Sequence, residues 1–292
     1  MLEVQPFNRL MTYTLLRLLP PTPTMARLPV AVPEVIGTIN GIQFYMTNPS
    51  RCSTAKELFW GRGQRVKVDE KYAIELFCNL VRECNVVLDI GANTGIFAIT
   101  SALANPSVRV HAFEIVPEVF LQLYRNVVRN DLLDRVTCHH IGIGKDDFSI
   151  TVPADGIDSS LPMSVSSLDH YESGVRVRFE SLDRFSASLR DSDRVLIKLD
   201  VEGTEAAVLQ NSHAMIERYH PDILCEVLTG AHSEREVETF VRSHGYHIYK
   251  VCNGFLEEAS TLIPDVVHHD WFFSTRDAAQ LASVTSVRRI GA

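Results

Sequence analysis

The stretch Val86 to Gly95, VVLDIGANTG, constrains the fold more than any other part of this chain. An apolar run ends in Asp89 and Ile90, and a Gly-x-x-x-Gly turn follows. Ile96, Phe97, Ala98, Ile99 and Ala102 then continue in a helical pattern. This order predicts a buried parallel strand feeding a ligand-binding turn. Gly91 and Gly95 let the backbone approach a ligand closely. Asp89, at the carboxyl end of the strand, can meet a cationic or hydroxyl group. The nicotinamide fingerprint Gly-x-Gly-x-x-Gly would need glycine where Asn93 stands. The strongest reason to expect a pyrophosphate is therefore missing, and a dehydrogenase is disfavoured.

Three further segments repeat the pattern. Val108 to Glu114 is a short strand ending in an acid, and Val195 to Glu205 runs strand, acid, glycine, helix. Ile223 to Val227 is a buried strand carrying Glu226. In doubly wound folds the acid ending the second strand bonds ribose hydroxyls. A carboxylate suits this, because it only accepts and two hydroxyls can both donate to it. One strand-end acid is ordinarily a solvated terminus. Four of them, Asp89, Glu114, Asp200 and Glu226, converge on one crevice when strands and helices alternate.

The segments VLDIGANTG, HAFEIVPE, LYRNVVRND, Ser159-Ser160-Leu161, FESLDRF, IKLDVEGTEAAVL and PDILCEV stand in the order expected of FkbM-type methyltransferases. The resemblance runs from Asn85 to Phe273, and its most diagnostic piece is Lys198 to Glu205, which resembles K-[IL]-D-V-E-G-x-E. Ile115 stands where the family usually has proline, and Pro117 comes two residues later, which leaves Glu114 in place. The resemblance implies an α/β fold: a doubly wound, Rossmann-like, class I methyltransferase. Its mixed sheet should have seven strands, the last antiparallel, with helices on both faces. It implies S-adenosylmethionine as cofactor and methyl transfer to a hydroxyl of a small biosynthetic acceptor. Sugar, polyketide, peptide and lipid hydroxyls all stay open.

On that reading Gly91, Ala92, Asn93, Thr94 and Gly95 hold the methionine end, and Asp89 reaches its amino group. Glu114 takes the ribose, Ile115 covers one face of the adenine, and Ile141 and Gly142 border it. Asp200 is the first candidate for general base, because the end of its strand faces the transferred methyl; it also lies within reach of the methionine amino group. Glu226 is the second candidate. Lys198 lies two residues before Asp200, on the same side of the strand, and can orient it or hold a substrate oxygen. Glu202 is expected at the start of the following helix, where Glu202 and Glu205 suit the helix dipole. His139 and His140 point to opposite faces, one packed and one near the adenine edge. One of His268 and His269 can reach the mouth of the site. A magnesium set of Asp200, Glu226 and a histidine lacks a clear third carboxylate, so no metal is expected.

Two alternatives remain. An N-methyltransferase would be signalled by an Asn/Asp-Pro-Pro-Tyr motif, which is absent. A non-catalytic cofactor-binding subunit would be expected to lose the strand-end acids, which are present.

The net charge of −8 gives no sign of a nucleic-acid partner. The six cysteines show no Cys-x-x-Cys spacing, which disfavours a zinc ribbon and fits free thiols in a reducing cytoplasm. The apolar run Leu15 to Leu19 is short and broken by Arg17, so neither a signal peptide nor a membrane span is expected. Residues 8–19 predict a short helix ended by Pro20 that packs on the core, covers a substrate site or mediates a homodimer.

Residues 1–60 are expected to form an extension with this helix and a hairpin around Asn40-Gly41; residues 61–292 form the methyltransferase domain. An insertion at 153–174 is placed where loops carry specificity. Helices are expected at 68–81, capped by Asp69, at 117–129 with Pro117 first, and unbroken at 204–219. Ser233 and Glu236 predict a capping box, and Gly245 a helix stop. Strands are expected at 136–141, 148–152, 175–179, 247–251 and 270–274, the last two antiparallel.

Overall fold

Asn40 and Gly41 adopt left-handed φ of 48° and 77°, which is what a two-residue hairpin turn requires. The computed structural model describes residues 6–18, 20–22, 24–25, 28–154, 171–229, 233–265 and 267–289. Helix α1 (Pro6–Leu18) stops short of Pro20. Strands β1 (Glu34–Ile39) and β2 (Ile42–Thr47) form the hairpin and bury Val35, Ile39, Phe44 and Met46. Helix α2 (Ser53–Trp60) is not foreseen by the sequence reading. Its N-cap is Cys52, whose Sγ accepts the Ala55 amide at 3.3 Å, outside the usual set of capping residues. Helix α3 (Val68–Val81) buries Ile74, Leu76, Phe77, Leu80 and Val81. The extended residue before it is Lys67, so Asp69 falls inside the first turn and is not the cap.

The repeating unit begins with β3 (Val86–Ile90), α4 (Ile96–Ala104), β4 (Arg109–Phe113), α5 (Pro117–Arg129) and β5 (Val136–His139). The third parallel strand thus ends at His139, and Ile141 lies beyond it. Gly142 and Ile143 form β6, which pairs with β8 (Val175–Glu180); β8 pairs in turn with β7 (Ser149–Val152). These three make a separate small sheet. The Phe179 ring packs so closely on Gly142 that a Cβ there would lie 2.2 Å from it. Most of the expected insertion, residues 155–170 with Ser159 to Leu161, lies outside the described residues.

Next come α6 (Leu182–Ser186), β9 (Val195–Leu199), α7 (Glu205–Gln210) and α8 (His213–Tyr219). The single helix expected over 204–219 is therefore two. At the break, Asn211 Nδ2 donates to the Ala207 carbonyl and Ser212 Oγ to the Leu209 carbonyl, bonds that compete with backbone continuation. After β10 (Asp222–Glu226), Ser233 precedes α9 (Glu234–Ser243), but no capping box forms. Ser233 has φ −92° and ψ −8°, not the extended backbone of a capping residue, and its buried hydroxyl has no partner among the described residues. Gly245, at φ 79°, follows the helix end.

The chain closes with β11 (His247–Cys252), β12 (Phe255–Ala259), β13 (Asp270–Ser274), α10 (Ala278–Leu281) and β14 (Val287–Arg289). The main sheet runs β14-β12-β11-β13-β10-β9-β3-β4-β5. Its seven strands from β11 to β5 are the expected doubly wound sheet, with β13 antiparallel to β10 and β11. Strands β12 and β14 extend one edge and were not foreseen. Asn253-Gly254, with Gly254 at φ 88°, is the hairpin signal that could have revealed β12.

One face of the sheet packs on the hairpin and helices α2 to α4, the other on α6 to α9. All six cysteines are free thiols. No described helix is long and apolar enough to cross a membrane.

Candidate active site

The turn after β3 is set by its neighbours. Gly91, Asn93 and Gly95 have φ of 76°, 48° and 91°. A Cβ on Gly91 would lie 1.7 Å from the Asp200 carbonyl oxygen, and one on Gly95 2.5 Å from Leu123. The turn is thus wedged between the end of β9 and helix α5. Asn93 tolerates the left-handed region partly because its Oδ1 accepts the Thr94 amide at 2.8 Å. The amides of Gly91 and Ala92 both donate to the Phe113 carbonyl, at 3.0 and 2.8 Å.

Asp89 is buried, and its Oδ2 accepts the Ala98 amide at 2.9 Å in the first turn of α4. It therefore satisfies one of the helix's free donors. Burial raises its pKa to about 7, against the opposing pull of Lys198. Glu114 is also buried. Its Oε2 accepts the Asn93 amide at 2.9 Å and its Oε1 the Val116 amide at 2.8 Å, so it ties the turn to the loop after β4. Burial raises its pKa to about 7 despite these bonds. Each of its oxygens keeps a second acceptor position. Thr94 is buried with its amide, carbonyl and hydroxyl all partnered, by Asn93, Asn126 and Cys52.

His140 Nε2 lies 3.0 Å from the Ile115 carbonyl and its ring stacks on Phe120, which draws Ile115 toward the segment leading to Ile141 and Gly142. His139 turns away from His140, stacks on Phe113 and contacts His111 at 3.1 Å, so the pair is split between two environments as strand geometry demands.

The charged centre lies at the carboxyl ends of β9 and β10. Lys198 Nζ is 3.1 Å from Asp200 Oδ2. In register, Lys198 sits beside Asp89 on β3 and Leu224 on β10, and Glu226 sits opposite Asp270 on β13. Laterally paired residues share a face, so these charges form one cluster. Lys198 is 3% exposed, its ammonium makes no aligned hydrogen bond among the described residues, and it lies 5.2 Å from the centre of the Phe97 ring. Burial lowers its pKa, but Asp200, Asp270, Glu226 and Asp89 outweigh that and raise it. Burial, and then the negative charge of Asp200, push Glu226 well above the carboxyl range, and Glu226 hydrogen-bonds Asp200. Lys198 holds a charge and Glu226 a proton, both beside Asp200, whose side chain is the more open at 31% exposure.

Sequence reasoning missed Asp270. It is the acid that begins β13, and only the antiparallel register brings it to Glu226. Glu202 does not start a helix: it lies in a left-handed turn at φ 56°, and α7 begins at Glu205. Glu205 Oε1 accepts the amides of Val201 and Gly203, both at 3.1 Å. His268 Nδ1 lies 3.4 Å from Asp265, and the His269 carbonyl accepts the Val227 amide at 2.8 Å. Among the described residues, no group of three or more His, Cys, Asp or Glu is arranged to hold a metal ion.

The sequence profile described as "Methyltransferase FkbM domain" matches residues 89–248. The "31-O-demethyl-FK506 methyltransferase FkbM" of Streptomyces tacrolimicus is 45% identical over 56 residues, 19% of this chain and 22% of that protein. A "tRNA1(Val) (adenine(37)-N6)-methyltransferase" of Flavobacterium psychrophilum is 31% identical over 103 residues, 35% of this chain and 42% of that protein. The match thus spans less than half the length of either relative. The crystal structure of methyltransferase FkbM from Methylobacillus flagellatus superposes with a TM-score of 0.44 at 16% identity, covering 75% of this chain and 54% of that one.

Proposed function

The chain belongs to the FkbM methyltransferase family, and on that premise we propose that it moves the methyl group of S-adenosylmethionine to a hydroxyl oxygen of a small biosynthetic acceptor. The observation that carries this reading is the open Asp200 carboxylate 3.1 Å from the buried Lys198 ammonium, at the end of β9. The cofactor supplies a methyl already activated on a sulfonium. The residues present fit it. Gly91 leaves backbone where a Cβ would collide with the Asp200 carbonyl. Glu114 keeps acceptor positions for two ribose hydroxyls, and Ile115, Ile141 and Gly142 border the adenine. Asp89 anchors α4 and faces the methionine end.

Bound here, the cofactor would supply an electrophilic methyl with its thioether as leaving group, and Asp200 would take the proton of an acceptor hydroxyl held at the end of β9. Lys198 holds Asp200 in place through the 3.1 Å ion pair, and Glu226, pushed above the carboxyl range, hydrogen-bonds it. A base so placed contributes ~10²–10⁴-fold, and positioning and exclusion of water supply much of the rest.

The adenine-N6 relative favours a second reading, transfer to nitrogen. The net charge of −8 speaks against an RNA acceptor in this chain. Calorimetry with S-adenosylhomocysteine and NAD, followed by methyl-transfer assays on hydroxyl and amine acceptors, tests both. Binding of NAD without S-adenosylhomocysteine would overturn the cofactor reading. Methylated amines without methylated alcohols would select the second one.

A further inference from the structure

A buried polar network joins the N-terminal hairpin to the turn after β3, through one side chain of α5. Asn126 is fully buried. Its Oδ1 accepts the Thr47 amide and the Thr47 hydroxyl, each at 2.8 Å, at the end of β2. Its Nδ2 donates to the Thr94 carbonyl at 2.9 Å, inside the turn. Gln122, one helical turn earlier, donates to the Thr47 carbonyl at 2.9 Å and to Asn126 Oδ1 at 3.1 Å. Cys52, just past the hairpin, donates its Sγ–H to Thr94 Oγ1 at 3.3 Å. The extension therefore grips Thr94 twice, once through Asn126 and once directly.

We propose that Asn126 is a positioning residue for the cofactor turn, and that the N-terminal hairpin is through it a working part of the methyl-donor site. The turn holds three positive-φ residues within five positions, one of them the non-glycine Asn93. Such a backbone persists only where its surroundings over-determine it. An amide side chain is well suited to the task, because it accepts at one end and donates at the other. Asn130, one turn further along α5, makes the same kind of bonds to the hairpin, with the Tyr45 amide and carbonyl both at 2.8 Å, but none to the turn. It is therefore a built-in control.

The inference rests on residues 91–95 being the cofactor turn. The matched variants are N126L and N130L, each near-isosteric and each stripped of its hairpin bonds. Calorimetry of S-adenosylhomocysteine is paired with urea unfolding of the full chain. N126L should weaken binding at least tenfold, and hydrogen exchange at the amides of residues 92–95 should speed up. N130L should lose comparable stability yet bind within about twofold of the parent. Should N126L fail to fold, T47V reads the same link from the hairpin side and should weaken binding severalfold without any contact to the cofactor. Equal binding losses in N126L and N130L, or parent-like binding by N126L or T47V, would overturn the proposal. A parent protein that does not bind S-adenosylhomocysteine would overturn the cofactor reading first, and this inference with it.

Discussion

Lys198 and Asp200 stand two residues apart on β9, with Nζ and Oδ2 3.1 Å apart, and that pair divides the work of the site between charge and access. The lysine is sealed beneath the Phe97 ring and the aspartate is partly open. On the proposed reading, the buried ammonium fixes the position of the open carboxylate at the strand end, where an acceptor hydroxyl would meet it.

Asp200→Asn keeps the size and removes the charge. Turnover at saturating S-adenosylmethionine should fall ~10²–10⁴-fold, while affinity for S-adenosylhomocysteine changes far less. Near-normal turnover would move the base assignment to Glu226.

Lys198→Met leaves the carboxylates without their buried cation. At pH 8 the folded state should lose about 3 kcal/mol, the range for breaking a buried ion pair. At pH 5.5 the loss should be smaller, because Asp89, whose pKa burial raises to about 7, then takes up a proton. Urea unfolding at the two pH values checks this, and an equal loss at both would assign Lys198 a packing role alone.

Glu114 has a folded pKa of about 7 against an ordinary 4.5, and Asp89 about 7 against 3.8. A raised carboxyl pKa means that the folded state binds the proton more tightly. The contribution to stability is therefore complete below the ordinary value and is lost as pH rises to about 7. On the proposed reading, the ribose hydroxyls of the cofactor donate to the ionised form of Glu114. Binding should consequently release a proton below pH 7, and affinity should rise by up to about tenfold per pH unit before levelling off. Glu114→Gln should flatten this profile and cost ~1.5–3 kcal/mol of binding. Calorimetry in buffers of different ionisation heat reads the proton directly; a pH-independent parent affinity would remove Glu114 from the ribose.

Gly91 and Gly254 share a left-handed backbone, but only Gly91 is also crowded. Gly254→Ala should cost about 1 kcal/mol, the penalty of the backbone alone. Gly91→Ala adds a collision with the Asp200 carbonyl, so it should cost at least about 2 kcal/mol more and abolish cofactor binding. Equal stabilities in thermal unfolding would show that the turn yields without loss.

The parallel strands β3, β4, β9 and β10 were legible in the sequence because each is a short, largely apolar run closed by an acid; β5, Val136 to His139, is a weaker signal, partly exposed and without one. Asn40-Gly41, Pro117 and the run from Ile74 to Val81 declared their elements for equally local reasons: a left-handed turn, a fixed φ at a helix start, a helical apolar face. The carboxyl-end acids Asp89, Glu114, Asp200 and Glu226 could be gathered on one edge from topology alone.

Which groups those acids meet was decided by tertiary contacts. Asp89 and Glu114 are bonded to amides nine and twenty-one residues away, and Asp270 reaches Glu226 only through antiparallel register. Asn126 links a hairpin seventy-nine residues upstream to Thr94. The split of residues 204–219 into two helices goes with side chains bonding back to carbonyls, and the loss of the Ser233 box with a backbone that is not extended there. Periodicity reports how a segment meets the core. It carries nothing about which partner, far along the chain, completes a polar group once water has been excluded, and that pairing is what turns a row of strand-end acids into a site.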